Sequence, residues 1–399
     1  MSMNNFNFDK YIDRGQYPTM KWSKSFLEEH FGNEEVIPMS VADMDLQAPP
    51  FVIEHLQKRV AHGIYGYEYK LQSYFDALIS WYRNRHGWVI DQQQIEACPS
   101  ILNAIAVLIN QQSNEGDGII IQPPVFFEFR MVIRSNGRKI VKNPLNLVEG
   151  RYQIDFDDLE TKAADPNNKI LILCNPHNPV GRVWTEAELK QVATICERHE
   201  VFVIADEIHG DFAFPPHKYT PYLAVPEIAG QNAAICISPA KTFNIAGMVD
   251  AMTIIPDESH RHLFHDFAHR YQTNKINVFA STAIEAAYRG GAGWLDELLE
   301  YLQENLDLIR IIIEENNIGV SLIEPEGTFL AWLDFRELDL EAKELHNFLS
   351  QKAELAISPG YWFGREGAGF GRMTIGCPRS TVQSALINLV SAVNDLSKF

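Results

Sequence analysis

The sequence predicts an α/β protein: a large domain with a mostly parallel sheet covered by helices on both faces, and a smaller α+β domain beside it. Three observations carry that expectation. Short, wholly apolar runs recur through the centre of the chain, which suits strands buried on both faces. Helical patterns separate those runs, as crossovers between parallel strands require. Beyond residue 285 the pattern changes to one long amphipathic helix followed by isolated strands and a further helix. The expected division is residues 46–285 for the large domain and residues 1–45 with 286–399 for the small one.

Taken in order, SILNAIAVLINQQ (100–112) reads as a helix and GIIIQPPV (118–125) as a strand. KILILCN (169–175) is a second strand. TEAELKQVATICERH (185–199) is a helix whose Thr185 stands three residues before Glu188, the spacing of a reciprocal N-terminal cap. VFVIADE (201–207) and AAICISP (233–239) complete the apolar strands. An amphipathic helix runs from Trp294 to Asn317, then TFLAWLDF (328–335) reads as a strand, AKELHNFLSQKA (342–353) as a helix and FGRMTIGC (370–377) as a strand. The first 45 residues show no strong period and are expected to wrap onto the smaller domain. Cis peptide bonds are expected at Pro123–Pro124 and Asn178–Pro179, where the chain turns sharply at strand ends.

Composition narrows the function. Of 399 residues, 46% are hydrophobic and 22% charged, and the net charge is −18, which argues against nucleic acid or an anionic membrane as a partner. The N-terminus shows no basic-then-apolar signal and no long apolar run follows, so a cytoplasmic location is expected. The five cysteines lie far apart with no C-x-x-C, as reduced, buried thiols would. His262, His265 and His269 recur at helical spacing without acidic or cysteine ligands and read as a polar helix face, so no metal is expected. GREGAGFG (364–371) lacks a strand-to-helix dinucleotide context and reads as a mobile turn.

In open α/β sheets ligands bind beyond the carboxyl ends of the strands. There stand Phe126 and Phe127 after GIIIQPPV, Asn175 and Asn178 after KILILC, Asp206 and His209 after VFVIA, and Ser238 and Lys241 after AAICI. Each alone has an ordinary structural reading: a solvated lysine, a capping aspartate, turn asparagines, a core phenylalanine. Together, at successive strand ends, they suit pyridoxal 5′-phosphate. That cofactor needs a lysine to hold its aldehyde and move protons at the substrate Cα (Lys241), and an acid at its pyridine nitrogen (Asp206). It needs a partner for its phenolic oxygen (Asn178, with His209 nearby) and a ring to stack on (Phe126). Its phosphate needs donors: Ser238, and the N–H groups at the helix start near Ser100, Ile101 and Leu102. Arg372 is the candidate clamp for an amino-acid carboxylate.

The motifs KW (21–22), SVADMD (40–45), HGIYGY (62–67), CNPHNPVGRVWT (174–185), ADEIHGDF (205–212), SPAKTFNIAG (238–247) and GRMTIGCPR (371–379) give the chain a likeness to a known group. It resembles the fold-type I pyridoxal-phosphate enzymes of aminotransferase class I/II, and within them the MalY/PatB group of C–S β-lyases. The resemblance spans essentially the whole chain. It implies the roles above for Lys241, Asp206, Asn178, Ser238 and Arg372, with Ala42 and Asn178 at the substrate. It also implies a homodimer with shared active sites, in which Tyr67 reaches the neighbouring subunit's site. Phe126 and Phe127 replace the group's usual tyrosine pair, KWS replaces KWD, and His209 stands where many aminotransferases carry a tyrosine.

The expected reaction is release of pyruvate, ammonia and a thiol from cystathionine or another S-conjugate of cysteine. The same residues support transamination, which is the alternative. A binding or regulatory protein that keeps the fold without turnover is the third reading.

Overall fold

A computed structural model of the chain describes residues 6–228 and 232–396. Its main sheet has seven strands in the spatial order Ile95–Cys98, Ala251–Ile254, Ala233–Ile237, Phe202–Asp206, Asn168–Cys174, Gly118–Ile121 and Lys139–Lys142. The last five run parallel, while Ala251–Ile254 is antiparallel to both of its neighbours.

The apolar runs are apolar because both faces of the sheet are covered. Successive side chains point to opposite faces. Ile119, Ile121, Ile170, Ile172 and Ile204 pack with Ile105 and Leu108 of the Ile101–Gln112 helix. Ile120, Leu171, Leu173, Val203 and Ala205 join the other core, with Leu189 and Val192 of the Glu186–Arg198 helix. Both helices begin where expected. The Ser100 side chain accepts the Asn103 N–H at 3.2 Å, and Thr185 and Glu188 cap each other reciprocally.

A second sheet of four antiparallel strands has the order Ser321–Ile323, Leu330–Asp334, Phe370–Thr374 and Ser358–Pro359. The N-terminal segment runs along it. Ile37–Pro38 pairs in parallel with Leu355–Ala356, and the Thr374 N–H donates to the Met39 carbonyl at 2.9 Å. Pro123–Pro124 and Asn178–Pro179 are cis as expected, and so are Asn175–Pro176 and Pro215–Pro216. The glycine-rich 364–371 turn is closely packed: a Cβ on Gly367 would stand 2.2 Å from the Gly360 carbonyl oxygen. His262 and His265 lie on an exposed helix face beside Glu258 and Glu96. All five cysteines are buried and free. No helix among the described residues is long and apolar enough to cross a membrane.

The two sheets are fastened by the loop before Leu330. Buried Glu326 accepts from Arg182 Nε at 2.9 Å and from Arg151 Nε at 2.7 Å, and Gly327 bridges to Ala213. Gly327 allows that approach because a Cβ there would lie 2.2 Å from the Phe212 carbonyl oxygen and 2.8 Å from Val183 Cγ2. Gly327→Ala should therefore force the two bridged segments apart. We expect a loss of about 1–3 kcal/mol, the usual cost of overpacking, read as a lower urea midpoint. An unchanged midpoint would show that the contact yields freely.

Candidate active site

The strand-end residues converge on a cavity of about 280 Å³ at the carboxyl edge of the main sheet, lined by Ser100, Phe126, Asn178, Asp206, His209, Ser238 and Lys241, with Ile101, Leu102 and Ala42 completing the wall. A wider cavity of about 970 Å³ adjoins it, shares Ala42, Phe126, Glu128 and Lys241 with it, and is reached by Arg372. Parallel order places these side chains side by side, because every strand of the parallel set ends at the same edge.

Lys241 sits four residues beyond the Ala233–Ile237 strand, and its Nζ donates to the Ala42 carbonyl at 2.6 Å. Burial lowers its pKa, partly opposed by Asp43, with Arg372 adding to the lowering. The amine therefore loses its proton more readily than a surface lysine does. Asp206, the last residue of its strand, accepts the Ile208 N–H at 3.2 Å. Burial pushes its pKa up to about 6, and the Ile208 N–H and the charge of Lys241 offset the lost hydration only in part. His209 is held neutral: burial takes its pKa down to about 3, and Lys241 and Arg372 add to the effect. Its Nδ1 has no hydrogen-bond partner.

Arg372 comes from the second sheet and is buried without an acid. It donates to Asn178 Oδ1 at 2.9 Å, the Ser40 carbonyl at 2.7 Å and Ser358 Oγ at 3.3 Å, while its Nε has no partner. Burial alone brings its pKa down to about 9. A guanidinium in that state gains from any carboxylate that enters. Ser238 Oγ donates to the Asp250 carbonyl at 2.9 Å and accepts the Ala240 N–H at 3.2 Å, so its proton is engaged within the chain. Phe126 is half-buried and forms an apolar wall, with its N–H on the Asn178 carbonyl.

This set fits pyridoxal phosphate on the chemistry of its donors. It offers a readily deprotonated amine, a buried acid for a pyridinium, N–H groups at a helix start, and a guanidinium with an unmet donor for a substrate carboxylate. Tyr67 stands apart. It is fully exposed and lines neither cavity in the single chain.

Several residues that sequence reasoning missed act here. Lys21 is wholly buried and reaches Asp45 at 2.6 Å and the Asp43 carbonyl at 3.1 Å, while Trp22 Nε1 donates to Asp45 at 2.9 Å. The KW and DMD motifs are thus two halves of one clamp. Asp211 accepts from Thr242 at 2.7 Å, Trp81 at 3.0 Å and His86 at 2.8 Å, which secures the residue next to Lys241. Glu128 lines both cavities, and its pKa is raised by burial against the opposing charge of Lys241. The phenylalanine pair before it could have flagged the position.

Comparison with known proteins gives a consistent picture. The model of the family "Aminotransferase class I and II" matches residues 34–389. Cystathionine beta-lyase PatB of Bacillus subtilis is 38% identical over 97% of this chain and 100% of its own length. A pyridoxal-phosphate-bound putative aminotransferase from Clostridium difficile 630 superposes with a TM-score of 0.95 at 40% identity, covering 98% of this chain and 100% of that one. Cystalysin from Treponema denticola, which contains pyridoxal 5′-phosphate, gives 0.94 at 32% identity over 98% and 99%.

The raised pKa of Asp206 has a consequence for stability. In the cofactor-free protein the folded state holds this proton up to about pH 6, whereas the unfolded chain releases it near 3.8. Asp206 therefore opposes folding above pH 6, and that penalty is relieved as pH falls from 6 towards 3.8. Asp206→Asn should stabilise the cofactor-free protein at neutral pH by on the order of 2–3 kcal/mol. The gain should shrink across the same window. Urea midpoints of both proteins against pH measure this, and a pH-independent difference would mean that Asp206 does not titrate there.

Proposed function

The chain belongs to the aminotransferase class I and II family, and on that premise we propose that it is a pyridoxal-phosphate-dependent C–S β-lyase. Its substrates are cystathionine or other S-conjugates of cysteine, and its products are pyruvate, ammonia and a thiol. The near full-length similarity to a cystathionine beta-lyase carries the choice of reaction. The buried Lys241 amine with Asp206 in one cavity supports the choice of cofactor.

Bound pyridoxal phosphate supplies an electron sink for the pair released from the substrate's Cα–H bond. The chain does the rest. Lys241 would hold the aldehyde and, once freed by the incoming amine, take the Cα proton; its lowered pKa suits both tasks. Asp206 would hold a positive charge on the ring nitrogen. Asn178 stands next to Arg372 and would orient the ring oxygen and the substrate carboxylate together. His209, neutral in this pocket, would offer a hydrogen bond without adding charge. Ser238 and the N–H groups of Ser100, Ile101 and Leu102 would receive the phosphate, with Ser238 turning its hydroxyl from Asp250. Phe126 would cover the ring face, and Ala42 would release Lys241 as substrate binds. The Cβ–S bond then breaks with its electron pair leaving on sulfur, the thiolate takes up a proton, and water completes the conversion to pyruvate and ammonia.

The working form is a homodimer located in the cytoplasm. The exposed side chains of Ile64, Tyr65, Tyr67, Tyr69 and Leu71 support an interface at this stretch. Transamination remains the second reading, favoured by the likeness to a putative aminotransferase.

Two measurements test the proposal. Pyruvate formed from cystathionine without a keto acid should exceed one equivalent per site many times over, and Lys241→Ala should form none. At most one equivalent, rising only with added keto acid, would make the protein an aminotransferase. Arg372→Leu should lower kcat/KM for every α-amino-acid substrate by about tenfold to about a hundredfold, the value of a charged hydrogen bond. Unchanged efficiency would place the carboxylate elsewhere.

A further inference from the structure

The wider cavity has one wall whose chemistry the reaction leaves unused. It is the cavity side of the Glu128–Ser135 helix, whose Phe129 and Ile133 are buried in the core on the other side. Towards the cavity the helix presents Met131, Arg130 and Arg134, with Phe127 just before it and Trp362 facing it from the second sheet's side. The wall is apolar in its body and cationic at its rim.

The two arginines are unusual in their company. Arg130 is half-buried and donates to the Trp362 carbonyl, and among the described residues no carboxylate hydrogen-bonds to it. Burial and the like charge of Arg134, four residues on, both lower its pKa, and the charge of Glu366 opposes them only in part. A like-charge pair one helical turn apart opposes helix formation rather than supporting it. Arg134 is exposed at the cavity edge and has no ion pair among the described residues. In a chain with 52 acidic and 34 basic residues, carboxylates were abundant for pairing. Among the described residues Glu128 is the only acid lining the cavity, and it senses the charge of Lys241. Two guanidinium groups without a hydrogen-bonded carboxylate among the described residues therefore line the space beyond Lys241 that is open to the group on the substrate sulfur. An anion entering there gains two partners, and a cation on the arginine side is repelled.

We propose that Arg130 and Arg134 make this enzyme select cysteine thioethers whose S-substituent is an apolar chain or ring ending in a carboxylate. Phe127, Met131 and Trp362 take the apolar body, and the arginines take the acid. The inference rests on the lyase reading for its substrate and on the cavity wall for its selectivity.

The test uses the holoenzyme and S-carboxybutyl, S-pentyl and S-aminopentyl cysteine, matched in length and differing in end charge. Pyruvate formation gives kcat/KM for each. Dissociation constants come separately from the change in cofactor absorbance on binding. The acid should exceed the neutral thioether by about fivefold and the amine by more, with the advantage shrinking in high salt. In Arg134→Glu the acid-to-amine ratio should fall by about tenfold or more and approach or cross unity. Equal efficiencies for the three in the parent enzyme, or an unchanged ratio in the variant, would overturn the proposal. Cystathionine is run alongside: no pyruvate from any of the four ends the lyase reading and leaves the ratio of dissociation constants to decide this one, whereas pyruvate from cystathionine alone overturns the proposal.

Discussion

The site depends on a buried ion pair at some remove from the chemistry. Lys21 and Asp45, 2.6 Å apart and both shielded from water, anchor the segment that runs from Ser40 to Asp45. Removing two charges from water is costly, and such a pair persists only with good geometry and further hydrogen bonds. Both conditions are met: Asp45 also receives Trp22 Nε1 and Arg14, and its N–H donates to the Gly376 carbonyl at 2.7 Å. The held segment then offers its carbonyls in two directions. Ala42 receives Lys241 from the main sheet, and Ser40 receives Arg372 from the second sheet. One rigid strip of backbone thus brings together side chains from two separate sheets.

Carbonyls, not carboxylates, are what Lys241 and Arg372 meet. That choice has an electrostatic logic. A carboxylate within reach would neutralise either cation and raise its pKa, leaving less for a ligand to gain. With carbonyls as the hydrogen-bond partners, burial outweighs the more distant charges of Asp43, Glu128 and Asp206 at Lys241, so its amine is easier to deprotonate, and the Arg372 guanidinium keeps an unmet donor. Asp206 is the mirror case, an acid with no hydrogen-bonded cation among the described residues, raised to about 6 by burial that Lys241 only partly offsets. The cost is carried by the cores around them, where the strands are buried on both faces.

Much of this was legible in the sequence, for a reason specific to parallel sheets. Strands covered on both faces must be apolar throughout, so KILILC, VFVIAD and AAICI announce themselves, and the residues that follow them must share one edge. Lys241, Asp206, Asn178, His209 and Ser238 were readable on that ground alone. The strands Ile95–Cys98 and Ala251–Ile254 were not, being four residues each and antiparallel to one another at the sheet's end, too short to show a period. The N-terminal 45 residues carried no period because much of their order comes from pairing with residues some three hundred positions away, as Ile37 does with Leu355.

The sequence by itself therefore determined the layered α/β plan and the identity of the groups at the strand ends, because local patterns of burial follow from strand geometry. Only the tertiary structure decided what those groups are worth. Whether Arg372 meets an acid or a carbonyl, whether Lys21 clamps Asp45, and whether Arg130 and Arg134 face a cavity or solvent depend on contacts between distant segments. Charge states in a low-dielectric interior are set by those contacts and by the loss of water, and neither is written in local sequence.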